Sequence, residues 1–142
     1  MLEKFISHPK KLFLIDGLGA VLSAFLLGYV LVKLESLVGI PSKTLYFLAT
    51  LPIFLVIYDL YCTRKNSDDS GQLMKGIGIM NLSYCCISIV FAFYHFGTIT
   101  IFGWTYLLME ILIIIILAII ELKVAKRLIK NKANTQQSIK MH

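Results

Sequence analysis

The chain has 142 residues, enough for about one domain, and 58% of them are hydrophobic whereas only 15% are charged. Soluble domains are roughly 45–50% apolar and about 25% charged, so this composition excludes an ordinary water-soluble domain and predicts an integral membrane protein. The net charge of +6 does not indicate nucleic-acid binding, because the sequence shows no basic patch interleaved with aromatic residues on a soluble module.

Four segments are long and apolar enough to cross a bilayer, whose hydrocarbon core of about 30 Å takes roughly 20 helical residues. They are residues 12–32, 45–62, 76–96 and 101–122. The first segment is too long for the apolar part of a signal peptide and contains Asp16, so it is predicted to remain as a span. Short connections favour an all-α, antiparallel up-down-up-down bundle of four transmembrane helices within residues 1–132. Residues 133–142 are predicted to be a disordered basic tail.

The basic residues predict the orientation of these spans. Of the 14 Lys and Arg, all but Lys33 and Lys43 lie before the first span, between the second and third, or after the fourth. Positively charged connections stay in the cytoplasm. We therefore expect a multi-pass protein of the bacterial inner membrane, with the N- and C-termini and residues 63–75 cytoplasmic.

Small residues mark the helix faces that pack in a membrane, since lipid provides no hydrophobic force between helices. In the first span Ala20, Ala24 and Gly28 recur every four residues, on the face that also carries Asp16. This stripe is a predicted helix-packing surface. It could join this span to another helix of the chain, to a second copy or to another membrane protein.

Polar residues within the spans are costly and are therefore the first candidates for a functional site. Asp16 and Asp59 lie five residues from the nearest basic residue and Asn81 lies six, which places all three roughly 7.5 to 9 Å inside the cytoplasmic boundary. Tyr84 is close to this layer. Glu121, only two residues from Lys123, is expected to reach water. The layer is either a hydrogen-bonded structural cluster or a binding site that faces the cytoplasm.

Glu110 lies deeper than the other acids. It is thirteen residues from Lys123, roughly 20 Å along a helix, and the spans contain no Lys or Arg at a comparable depth. An isolated carboxylate there is poorly solvated. Glu110 is therefore expected either to remain a neutral acid bonded to Tyr106 or to a carbonyl, or to exchange protons.

Motifs for catalysis or metal binding do not occur in the sequence. Cys62, Cys85 and Cys86 form no CxxC pair and are interpreted as packing residues. His95 has no Cys or His neighbours that would complete a metal site. We therefore predict no enzyme activity, no metal and no cofactor.

Three passages, residues 14–20, 57–62 and the run from Gly103 to Glu110, resemble small uncharacterised four-span bacterial membrane proteins. The resemblance implies a topology and no activity. The sequence thus leaves two hypotheses. The first is a non-enzymatic accessory or binding bundle whose partners are the lipid bilayer and a second copy or another membrane protein. The second is a small proton-coupled transporter or channel with Glu110 as its titrating group.

Overall fold

The computed structural model describes residues 1–142, apart from the side chain of Ser67. The described chain is all-helical and contains no strand, which confirms the predicted all-α class. A π-helical turn, Leu26–Val30, joins the second helix to the third, and a 3₁₀ turn, Ser67–Asp69, precedes the sixth. The helices are α1 (Leu2–Ser7), α2 (Pro9–Phe25), α3 (Leu31–Lys33), α4 (Glu35–Val38), α5 (Ser42–Arg64), α6 (Ser70–Tyr94) and α7 (Ile101–Lys140).

Three helical stretches in the described chain are long and apolar enough to cross a membrane. They are Pro9–Lys33 with 25 residues, α5 with 23 and α6 with 25. The first three predicted segments lie almost entirely within these helices, in agreement with a membrane protein. The fourth predicted segment, 101–122, is the N-terminal part of α7, which is 40 residues long.

The bundle consists of two helical hairpins. In the first, α2 packs along α5, and in the second, α6 packs along α7. Close backbone contacts hold the second hairpin together, since a side chain on Gly78 of α6 would collide with Leu122 of α7. The hairpins meet mainly through α5 and α6, whereas α2 touches α7 only slightly. The α2–α7 edge is therefore the loosest seam of the bundle.

Backbone and side-chain hydrogen bonds connect the two hairpins at the end where α2 leads into α5. The carbonyl oxygen of Val38 accepts a hydrogen bond of 3.0 Å from the Thr100 amide, and the Thr44 hydroxyl lies 2.9 Å from Nε2 of His95. Gly39 follows α4 with a φ of 76°, a conformation that only glycine adopts without strain. A side chain at Gly39 would also run into the Thr98 carbonyl.

At the opposite end of the bundle, α7 continues beyond the apolar segment and packs on the start of α6. Gly71 allows this approach, because a Cβ there would lie 2.9 Å from Ile129, and the Lys132 ammonium group donates to the Asp68 carbonyl at 3.0 Å. The structure differs here from the sequence prediction, since residues 133–140 are helical and not a disordered tail. The tail contains no Gly or Pro, the two residues that disfavour helix most strongly, so nothing in its sequence forces α7 to end before it.

Replacing Gly39 by Ala is expected to destabilise the protein by at least about 2 kcal/mol, because the new Cβ adds left-handed strain and a collision with the Thr98 backbone. The measurement is the thermal unfolding midpoint in detergent. Gly97→Ala is the matched control, since Gly97 lies in the neighbouring turn and a Cβ added there would have no atom within 4 Å. Equal effects of the two substitutions would contradict the proposed packing of these turns.

Candidate binding site in the helical bundle

Each of the four long helices contributes one polar side chain to a buried group that we call the carboxylate cluster. Its members are Asp16 of α2, Asp59 of α5, Asn81 of α6 and Glu121 of α7, all at most 3% exposed. The predicted layer of Asp16, Asp59 and Asn81 thus forms one group in space. Glu121 joins it, and the expectation that Glu121 reaches water is wrong because this side chain is fully buried.

The amide of Asn81 is the centre of this cluster. Its Nδ2 atom donates to Oδ1 of Asp16 at 3.0 Å and to Oε2 of Glu121 at 3.1 Å, so both amide hydrogens are used. Asp59 packs against α2 at Gly17. A Cβ added to Gly17 would lie only 3.3 Å from the Cβ of Asp59, so the close approach depends on the missing side chain. Neither carboxyl oxygen of Asp59 has a hydrogen-bond partner among the described residues.

The cluster carries three carboxyl groups and no neutralising cation. The ion pair seen within the described part of the chain is Lys132–Asp69, on the surface and 3.6 Å apart. Three ionised carboxylates in this environment would cost several kcal/mol each without a partner, so the cluster must hold protons. The described side chains do not form a group of acids, histidines or cysteines arranged for a metal ion.

Glu110 forms a second polar group about three helical turns from the cluster. Oη of Tyr106 donates to Oε1 of Glu110 at 3.3 Å, which is the bond expected from their four-residue spacing. Oε2 of Glu110 is buried and unpartnered in the described structure, as are the hydroxyls of Tyr84 and Ser88. Ser23 and Tyr84 lie near the same carboxyl group, so several hydrogen-bonding groups are gathered at this end of the bundle.

A cavity of about 320 Å³ connects the two polar groups. Asp16 and Asn81 lie at one end, and Glu110, Tyr84 and Tyr106 lie at the other. This volume is at the small end of the range for ligand-binding cavities. The remaining walls are mainly apolar and include Leu22, Leu26, Leu55, Ile113, Ile114 and Leu117.

The cavity reaches the outer surface of the bundle at the seam between α2 and α7. Gly19 and Leu22 of α2, and Met109 and Ile113 of α7, line the cavity and are also exposed on the outside. These residues face the region that lipid chains occupy around a membrane bundle. The cavity therefore has a lateral opening rather than an opening on a water-facing end.

The structure brings together five of the six predicted site residues on one cavity, namely Asp16, Asn81, Tyr84, Tyr106 and Glu110. The sixth, Asp59, lies in the carboxylate cluster and does not line the cavity. Glu121 was missed as a site residue, although its eleven-residue spacing from Glu110 places both on one helical face.

The predicted packing stripe of the first span faces the interior of the same chain. Ala20 is buried and lines the cavity. Gly28 lies against α5, where a Cβ would be 3.3 Å from that of Ala49, and Ala24 is partly buried. In this structure the stripe serves packing within the bundle.

Comparisons of this chain with protein-family models, with curated proteins and with solved structures found no match. Function is therefore inferred from the geometry and charges of the cavity and the carboxylate cluster.

Replacing Asn81 by Leu is expected to destabilise the protein by about 1–3 kcal/mol, because Asp16 and Glu121 each lose their donor while remaining buried. Unfolding by denaturing detergent in mixed micelles measures the change. The matched control is Ser83→Ala on the exposed side of α6, where the hydroxyl bonds only to the backbone of its own helix. A loss no larger than that of the control would show that the amide does not hold the cluster together.

Proposed function

We propose that this chain is a four-span membrane protein that binds a small molecule in its cavity and exchanges a proton at Glu110, as a proton-coupled transporter does. The position of Glu110 carries this proposal. Its side chain is only 8% exposed, lies on the cavity wall and keeps one oxygen without a hydrogen-bond partner in the described structure. An accessory protein that acts only through packing would not need a carboxyl group there.

The coupling follows from the surroundings of Glu110. No Lys, Arg or His is among the residues that line the described cavity, so an ionised Glu110 has no protein cation to compensate it. The carboxyl group is therefore stable with a proton bound or with a positively charged ligand beside it. Binding one of these displaces the other, and this competition is the basis of proton coupling.

The apolar part of α7, residues 101–122, is proposed as the fourth span. It packs antiparallel along α6, since Cys85 approaches the Ile111 carbonyl while Gly78 contacts Leu122. Its outward side carries exposed apolar residues that lipid would cover, including Phe102, Leu108, Leu112, Ile116 and Ile119. With Lys33 and Lys43 as the basic residues on the other side, the positive-inside rule supports an inner-membrane protein with both termini in the cytoplasm.

Single cysteines at Thr98 and Ser138 test the fourth span, because these positions lie on either side of residues 101–122. The background protein has Cys62, Cys85 and Cys86 replaced by Ala. A membrane-impermeant maleimide is expected to label Thr98→Cys in intact cells and Ser138→Cys only after permeabilisation. Ser36→Cys serves as the external control. Labelling of both Thr98→Cys and Ser138→Cys in intact cells would mean that α7 does not cross the membrane.

Infrared difference spectroscopy in lipid, between acid and alkaline pH, tests the proton-binding role of Glu110. A carboxyl C=O band that disappears as pH rises is expected in the native protein, and the component that Glu110 contributes to it is expected to be missing in Glu110→Gln. Glu3→Gln is the matched control, because it removes an exposed acid that lies outside the cavity and the carboxylate cluster, and it should retain the Glu110 band. Identical pH-dependent spectra for the native protein and Glu110→Gln would refute proton exchange at Glu110.

A further inference from the structure

The cavity is complementary to a positive charge and not to a negative one. Two of its polar side chains, Asp16 and Glu110, are acids at opposite ends. No basic side chain lines the part of the cavity that the structure describes. An anion would therefore meet uncompensated carboxyl groups, whereas a cation would replace the proton that each acid otherwise needs.

The unused acceptors at the Glu110 end fit an ammonium group. Oε2 of Glu110 and Oη of Tyr84 are buried, and neither has a hydrogen-bond partner within 3.5 Å in the described structure. The two groups lie close together, and Ser23 is also near the Glu110 carboxyl group. A protonated amine brings up to three N–H donors and must have acceptors when it leaves water. The hydroxyl of Tyr106 already bonds to Oε1 of Glu110 and fixes the orientation of the carboxyl group.

The rest of the cavity fits a hydrocarbon body. Between the two polar ends the walls are mainly leucine and isoleucine, with the hydroxyl of Ser23 among them. A mainly apolar body fits there, because burying polar groups without hydrogen bonds is unfavourable. The lateral opening between α2 and α7 is bordered by Leu22, Met109 and Ile113. A molecule that passes this opening comes from among lipid chains and must itself be lipid-soluble.

From these three observations we infer that the ligand is a small lipophilic amine, which enters from the bilayer between α2 and α7 and places its ammonium group beside Glu110. This inference rests on the proposed function and names its ligand class. When the ammonium form binds, the Glu110 carboxylic acid becomes a carboxylate paired with it, and the proton that leaves Glu110 goes to solvent. Each bound ammonium ion thus releases one proton.

Three probes with one carbon skeleton test the ligand class, namely 4-phenylbutylamine, 4-phenylbutan-1-ol and 4-phenylbutanoate. Binding to the full chain in lipid nanodiscs is measured by calorimetry, with empty nanodiscs subtracted to correct for partitioning into lipid. We expect the amine to bind at least about tenfold more tightly than the alcohol, the carboxylate to bind weakest, and one proton to be released per amine in weak buffer.

Paired variants locate the binding. Glu110→Gln should abolish the preference for the amine and the proton release, whereas Glu3→Gln, which removes an exposed acid outside the cavity and the carboxylate cluster, should preserve both. Tyr84→Phe removes one acceptor without removing an acid, so it should weaken amine binding severalfold even if Glu110→Gln proves unstable. Ile113→Trp should slow amine binding by narrowing the opening. Leu112→Trp, at an exposed neighbouring position outside the cavity lining, should not.

The outcomes separate this inference from the proposed function. Amine binding no tighter than alcohol binding would overturn the ligand class, and so would binding of none of the three probes, as expected if lipid or a second copy fills the cavity. In both cases a pH-dependent Glu110 band in the infrared spectrum would leave proton exchange intact. Loss of that band, together with amine binding that is unaffected by Glu110→Gln, would refute both.

Discussion

The hydrogen bonds of the Asn81 amide are the interaction on which the bundle most depends. A membrane interior offers no water to polar groups, so each must find its partner within the protein. Asn81 and Glu121 belong to the α6–α7 hairpin and Asp16 to the α2–α5 hairpin, so one amide joins two hairpins that otherwise meet mainly through α5 and α6. Polar contacts thus hold α2 near α7 where packing is weakest.

The carboxylate cluster contains more carboxyl groups than the Asn81 amide can satisfy. One amide can satisfy two carboxyl oxygens, yet the carboxylate cluster has three carboxyl groups, and both oxygens of Asp59 lack a partner among the described residues. Well-packed apolar residues often stabilise a protein as well as buried charged groups do. Buried acids with spare oxygens are therefore better explained by a role in binding protons or cations than by a role in folding.

The depth of the carboxylate cluster could be predicted from the sequence, because the helical rise per residue is fixed and basic residues mark the membrane boundary. This logic brought Asp16, Asp59 and Asn81 to one level. It failed for Glu121, because a short distance from Lys123 implies contact with water only where the helix surface is free, and α6 covers α7 there. The cavity could not be predicted, because it arises from unequal packing between helices. α2 packs tightly on α5 and α6 packs tightly on α7, whereas α2 and α7 touch only slightly.

The backbone around the cavity indicates which hairpin would move during the transport that we propose. The π-helical turn Leu26–Val30 and Pro52 both interrupt regular helical hydrogen bonding, and Leu26 and Pro52 line the cavity. Both interruptions belong to the first hairpin, whereas α6 and α7 are continuous α-helices along the cavity. On the cytoplasmic side predicted by the basic residues, apolar side chains such as Phe13, Met74 and Val124 are fully buried. Bending of α2 and α5 against a rigid α6–α7 hairpin would open that side at the smallest cost in hydrogen bonds.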